Sequence, residues 1–427
     1  MFKNNKFIQS INRRDMFSPY IFFPALVIIY FFLSIFDFGR ANYFNAHHNI
    51  VPLIVVGLVA YYVVVYIVQK LNLTFFQFKW GFIQGKNVYF LAFLGLIGLI
   101  SYLIMLFTGQ IGILDESIRR NLNPKLNFFS SLLWFASIFL VYNQIVKDEH
   151  LTKKRLLGYF SILAIVFCAF ILMGYRTPIA LMFFTTLIVF HYVIKRIKAA
   201  WLIVFMVVLG LCFVTFGFLR LVSEDTTKEF NSRKAPQVEV PHTAPEVAKN
   251  KKLQEEVNKT PKWVRAINGE MVAGRIVTSK IIDYTKDNGY MYGNFDKGIF
   301  STVLPGEQVS PRALMTDIVN SYTIDQGKYI TRPGRTTTPT MVGQFYIEGG
   351  YIGIVIGFGL YGLILSMLYN QVRKYGGRSY YSIAYGFVLS VLAISIHTGL
   401  LDLIFLLMMG YAILSTSLET SKKKSNP

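Results

Sequence analysis

Cysteine is scarce in this chain of 427 residues: Cys168 and Cys212 are the two copies. Both fall inside apolar blocks, which excludes a disulfide framework or a cysteine metal site and reads them as small core residues. The motifs of soluble catalysis are missing as well: there is no Walker loop, no G-x-S-x-G elbow and no H-E-x-x-H pair. Charge is thin, at 15% of residues, against about 25% in a soluble domain. No small-residue cleavage site closes the first apolar block, so that block reads as a retained helix rather than a removed signal. An internal repeat is lacking too, which weighs against a repeat-built transporter.

What the chain has is apolar residues, 53% of the total, with 16% aromatic and a mean hydropathy of +0.45. They are gathered into blocks at roughly 16–36, 50–69, 88–108, 128–146, 156–174, 177–194, 199–219, 344–370, 380–398 and 400–418. About twenty residues of helix span a bilayer core, and a span must satisfy its backbone amides internally. The expectation is therefore an all-α, polytopic membrane helix bundle of about ten transmembrane helices. The stretch 380–418 is too long for one span and reads as a hairpin turning at His397-Thr398-Gly399.

Lys and Arg outnumber Asp and Glu by 43 to 23, a formal net charge of +20. In a soluble protein that would suggest nucleic acid, but the placement argues for a membrane. With the N-terminus inside, the cytosolic segments hold 20 basic residues and the short outer loops 5, alternating throughout. That is the positive-inside pattern, with both termini cytosolic. The implied domains are 1–219 with helices 1–7, a large extracytoplasmic loop at 220–342 between helices 7 and 8, and 343–427 with helices 8–10 and a basic cytosolic tail. Within the loop, 224–262 is rich in Lys, Glu, Pro and Thr, and suits a mobile or helical flap. Trp263, Ile267, Met271, Val277, Ile281 and Tyr284 recur at near-helical spacing, which suits an amphipathic helix on the membrane surface over 263–285. Gly, Pro and aromatic residues over 288–342 indicate ordered turns.

Chemistry in such a chain falls to Arg, His, carboxylates and Tyr at the outer interface. Arg176 sits in a tight outer turn, Gly174-Tyr175-Arg176-Thr177-Pro178, where a cation is costly unless paired or functional; snorkelling to headgroups is the bland alternative. Arg220 closes the seventh helix, where the dipole favours a cation anyway. Arg275 lies midway along the amphipathic segment, where a solvated face would also explain it. Arg332 and Arg335 flank Pro333-Gly334 before the hydroxyl run Thr336-Thr337-Thr338, a setting that suits phosphate or sugar oxygens. His397 in the last turn is a candidate general base or a capping histidine. Glu348, at the outer entry of helix 8, is a candidate base or arginine partner. Asp402 reads as a partner of the following helix dipole. Tyr284, Tyr290, Tyr292, Phe295, Tyr322 and Tyr329 either stack on sugar rings or pack the loop. Planar guanidinium groups converging on the outer face suit a lipid diphosphate.

The stretch Thr338-Pro339-Thr340, followed by Gly343-Gln344-Phe345-Tyr346-Ile347-Glu348 and then Gly350-Tyr351-Ile352-Gly353, resembles the signature before a late helix in bacterial O-antigen and oligosaccharide repeat-unit polymerases (Wzy type). The Gly-Tyr-Arg-Thr-Pro turn at 174–178 and Arg220 before the large loop are similar too. The chain departs from that pattern at Gln344, where an acidic residue is expected, and this turns attention to Glu348. The resemblance implies a GT-C-like membrane glycosyltransferase without cofactor. It would join undecaprenyl-diphosphate-linked oligosaccharide units into surface polysaccharide at the outer face of the bacterial inner membrane. Arg176, Arg220 and Arg275 would bind the diphosphate, Arg335 would hold the lipid-linked acceptor, and His397 or Glu348 would take the acceptor proton. A chain-length regulator and a flippase are implied as partners, with no nucleic acid. An O-antigen ligase is the near alternative, sharing topology and arginine chemistry. A polysaccharide-lipid flippase or transporter is the alternative of another class, and would place ionisable residues within helix interiors.

Overall fold

In the computed structural model, residues 15–36, 48–75, 87–111, 123–173, 176–205, 207, 210, 261–302, 311–321 and 338–419 are described. The apolar blocks become helices: α1 (Phe22–Leu33), α2 (Val51–Lys70), α3 (Asn87–Phe107), α4 (Pro124–Lys147), α5 (Lys153–Leu172) and α6 (Arg176–Val193). After them come α7 (Lys262–Asn288), the short α8 (Asn294–Lys297) with a 3-10 turn (Gly298–Thr302), α9 (Pro311–Ser321), α10 (Thr340–Tyr375), α11 (Tyr380–Thr398) and α12 (Leu403–Glu419). Residues 199–205 are helical as well, opening the block at 199–219. Among the described residues there is no strand. Six helices, α2 to α5, α10 and α11, are long and apolar enough to cross a membrane; α1, α6 and α12 are shorter apolar helices. The protein is thus a polytopic all-α membrane protein, and the split of 380–418 into α11 and α12 follows the expected hairpin.

Local chemistry sets the helix starts. Asn123 caps α4 by accepting from the N–H groups of Lys125 and Leu126 at 3.0 and 3.3 Å, ahead of Pro124 in the first turn. Thr152 accepts the Arg155 N–H at the start of α5. Helix α11 forms the centre, buried along nearly its whole length, with Trp134, Phe135 and Phe139 of α4 packed around Phe387. The outer faces of α2, α3 and α5 stay apolar and exposed, as lipid-facing helices do. Cys168 lies on such an exposed face of α5, which corrects its reading as a core residue. Gly98 lets α3 approach α4 until a Cβ there would strike the Leu133 backbone.

Two further expectations are corrected. The helix expected over 263–285 runs as α7, but it does not simply rest on the membrane. Val272, Val277, Ile281 and Ile282 are buried, and its apolar face is covered by α10, α9 and α1. Gly274 receives the Tyr30 ring, and Gly343 receives Ile281. The apolar period was real, and protein satisfies it in place of lipid.

The span expected over 344–370 is not one helix. Gly349 (φ −166°, ψ 26°) and Gly350 (φ 59°, ψ −134°) break α10 into arms at 340–348 and 351–375. The arms fold back on each other. The Phe345 ring sits 5.3 Å from that of Tyr361, whereas sixteen residues of straight helix extend about 24 Å. Gly353 and Gly357 make the fold possible, since a Cβ on either would collide with the carbonyl or the ring of Phe345. Gly350 alone could adopt its angles, and the Tyr290 hydroxyl lies 2.6 Å from where its Cβ would be.

The end of the bundle opposite His397 is fastened by Asp15. Its carboxylate accepts from the hydroxyls of Tyr192 and Tyr369 at 2.8 and 2.9 Å and from the Phe17 N–H at 3.1 Å, with His191 Nε2 3.5 Å away. Burial alone would raise the Asp15 carboxyl, but the nearby His191 and the bonds from Tyr192 and Tyr369 outweigh it and hold the pKa below the ordinary 3.8. A lowered acid pKa gives stability that is present above the unfolded value and is lost as pH falls through the folded one. Asp15→Ala is expected to cost about 1–3 kcal/mol by stranding buried donors. Thermal unfolding in detergent at neutral pH would show it, and the gap from wild type should shrink under acid.

Candidate active site

The end of the bundle that carries His397 brings α1, α7, α10 and α11 together. His397 occupies the last turn of α11, and its Nδ1 lies 2.9 Å from the Tyr30 hydroxyl of α1, the rings meeting edge to face at 5.7 Å. Tyr30 fits there because Gly274 of α7 has no side chain to obstruct it.

The short arm of α10 begins beside this pair. Thr338 Oγ1 donates to the His397 carbonyl at 3.4 Å. Pro339 and the Thr340 carbonyl pack on Gly399, which has φ +68°. Thr340 is buried and holds φ +63°, a left-handed conformation that is rare for a β-branched residue. Its Oγ1 accepts the Gly343 N–H at 3.1 Å and lies 3.3 Å from Thr278 Oγ1, and Thr278 donates in turn to the Gly274 carbonyl. The folding back of α10 thus delivers the N-terminus of a helical arm, with its positive dipole end and first-turn N–H groups, to the neighbourhood of His397. Strained backbone held by surrounding structure is a mark of functional sites.

Further out, Glu348 accepts from the backbone. Its Oε1 takes the Asp296 N–H at 2.7 Å, and its Oε2 takes the Gly293 N–H, so it caps the short helix α8. Met291 and Tyr292 donate to the Ile347 and Glu348 carbonyls at 2.9 and 3.0 Å, docking the turn onto the arm. Tyr292 has φ +48° and is largely exposed. Asp296 accepts from Gln344 Nε2 at 2.8 Å. Burial, and then the Glu348 charge, raise the Asp296 carboxyl above its usual value, and the Gln344 bond offsets part of this. Two side-chain pairs frame the site. Arg312 of α9 meets Asp402 at 2.6 Å, both about one-third exposed, and His48 meets Asp283 of α7 at 2.5 Å, with the His48 N–H on Ser279.

Of the residues singled out from sequence, His397, Glu348 and Arg275 fall at this end. Arg275 is half-buried on α7, directly after the glycine that receives Tyr30. Arg176 is the first residue of α6. That helix runs from this end to the Asp15 end, where Tyr192 lies, so the Arg176 backbone is at the His397 end. Arg220, Arg332, Arg335, Tyr322, Tyr329 and most of the flap at 224–262 lie outside the described residues. Asp402 starts α12 as expected, with Arg312 as a partner that sequence did not indicate. Phe295 is buried, so it packs the loop. Sequence reasoning also missed Tyr30, which is concealed within an apolar block, and Asp296, whose one signal was its place among the turn glycines 289, 293 and 298.

A protein-family model described as "Putative O-antigen polymerase" matches residues 15–234 and 264–409. No curated protein and no solved structure matches the chain.

Proposed function

The chain belongs to the O-antigen polymerase family, as a multi-pass inner-membrane protein that polymerises lipid-linked repeat units, and from that premise we propose how its site works. The donor is a growing glycan on undecaprenyl diphosphate, and the acceptor is an incoming undecaprenyl-diphosphate-linked unit. The site faces outward, both termini are cytosolic, and 220–342 is the extracytoplasmic loop. The oxygen of the acceptor's non-reducing-end hydroxyl bonds to the donor's anomeric carbon. The bond from that carbon to the diphosphate oxygen breaks, and undecaprenyl diphosphate leaves.

His397 takes the acceptor proton. When its Nδ1–H donates to the Tyr30 oxygen, Nε2 keeps the lone pair that this step needs. Arg176, Arg220 and Arg275 hold the departing diphosphate and stabilise its growing charge, aided by the N-terminus of the α10 arm. Arg335 holds the acceptor's lipid diphosphate. Glu348, with both oxygens engaged by backbone N–H groups, serves best by fixing the 291–297 turn. The observation that carries this reading is the Tyr30–His397 pair beside the strained Thr338-Pro339-Thr340 start of the folded-back arm.

Deletion of the gene in its native host, followed by gel analysis of surface glycan, is the test. A single repeat unit on the lipid A core, with no ladder, is expected. Long chains held on undecaprenyl diphosphate with none on the core would mean a ligase. Units trapped on the cytosolic leaflet would mean a flippase.

A further inference from the structure

Gln344 is buried on the short arm of α10, at 3% exposure, and each end of its amide is used. Oε1 accepts the Leu400 N–H at 2.6 Å. Nε2 donates to Asp296 Oδ1 at 2.8 Å and to the Leu400 carbonyl at 3.4 Å. The turn it grips begins two residues after His397. The carboxylate it holds is anchored from the other side, because the Asp296 N–H is bonded to Glu348. An amide can donate to one partner while accepting from another; an ionised carboxylate can only accept. With Asp296 and the Leu400 N–H fixed in place, an amide at 344 satisfies both.

We infer that Gln344 and Asp296 form an amide–carboxylate pair that sets the position of the His397 turn, and that the two groups can trade places across the pair without loss of function. Both are positioning residues that act through His397. This inference rests on the polymerase reading above. A carboxylate introduced at 344 would face Asp296 with two acceptors and no proton between them. Two facing carboxylates do not both ionise readily, and burial together with the nearby Glu348 charge already works against negative charge at Asp296. If Asp296 is then made an amide, the lost donor returns from the other side: its Nδ2 donates to the carboxylate at 344, whose second oxygen still accepts from Leu400.

Four variants, D296N, Q344E, Q344A and the double variant D296N/Q344E, are introduced into the deletion strain and the glycan ladder is compared with wild type. D296N keeps an acceptor for Gln344 Nε2 and should stay within about threefold of wild type. Q344E and Q344A should each lose about tenfold or more, the scale of a broken buried bond to a charged group. The double variant should recover most of the Q344E loss.

Membranes carrying each variant are also supplied with the lipid-linked units that the deletion strain accumulates. Protonation of His397 lowers activity in every variant as pH falls, so each is read against wild type at the same pH: relative to wild type, Q344E should regain activity as the buffer is taken from about pH 7.5 to 5, where one proton is shared between two carboxylates. Q344A and the double variant should not. Glu348, Tyr361, Lys297, His397 and the Arg312–Asp402 pair surround the site in every variant, so the difference between Q344E and the double variant isolates the new pair. Failure of the wild-type gene to restore a ladder would overturn the polymerase reading. A restored wild type with an inactive double variant, an active Q344E, or an inactive D296N would each overturn the pair alone.

Discussion

Replacing His397 with alanine is expected to cut chain extension by about two to four orders of magnitude, the usual weight of a positioned general base, while the protein remains folded in the membrane. His397 ends α11, and its side chain contributes to the site rather than to the aromatic packing around Phe387. Tyr30→Phe separates the two parts of its role. The phenylalanine ring still fills the space above Gly274, but the 2.9 Å bond to Nδ1 is gone and with it that bond's hold on the tautomer, so a loss of about tenfold is expected. Gel ladders from the complemented deletion strain, beside thermal unfolding of each variant in detergent, give both readouts. A full-length ladder from His397→Ala would move the proton-accepting role to another residue. A Tyr30→Phe loss as large as that of His397→Ala would make the hydroxyl itself part of the chemistry.

The bundle was legible because a membrane span obeys one rule, a run of apolar residues long enough to cross, and the chain obeys it almost everywhere. The site was legible only where chemistry stands out against its surroundings. His397 and Glu348 are conspicuous because ionisable residues inside the apolar blocks are few. Tyr30 is not, because a tyrosine inside an apolar run resembles any other aromatic, and its partner lies 367 positions away. Asp296 is equally hidden, since what makes it notable is a buried amide 48 residues later in the chain. Gln344 was noticed as a departure from an acidic pattern, but its use depends on a neighbour that only the fold supplies. The amphipathic period of α7 marked Val277 and Ile281 on the buried face, whereas Trp263 at its start is exposed. Periodicity reports that a face is covered, not by what, and here α1, α9 and α10 cover it.

The folding back of α10 carries the second large effect, because it is what brings Thr338-Pro339-Thr340 to His397. Gly357→Val would set a branched side chain inside the Phe345 ring. The arms must part, at a cost of about 1–3 kcal/mol for overpacking, and the 340–348 arm loses its seat beside the active-site histidine. Polymerisation should therefore fall well beyond what the stability change alone would produce. Phe345→Ala also destabilises, by leaving a gap against Gly357, Phe358 and Tyr361. In the double variant the valine occupies space that the phenylalanine has vacated. Its unfolding temperature and its ladder should both exceed those of Gly357→Val, with a coupling of about 0.5–3 kcal/mol. Residues 345 and 357 would lie about 18 Å apart on an unbroken helix, too far to couple. Strict additivity would therefore mean that α10 runs straight through Gly349-Gly350, whereas rescue would place the two arms side by side and tie the conformation of this glycine pair to catalysis.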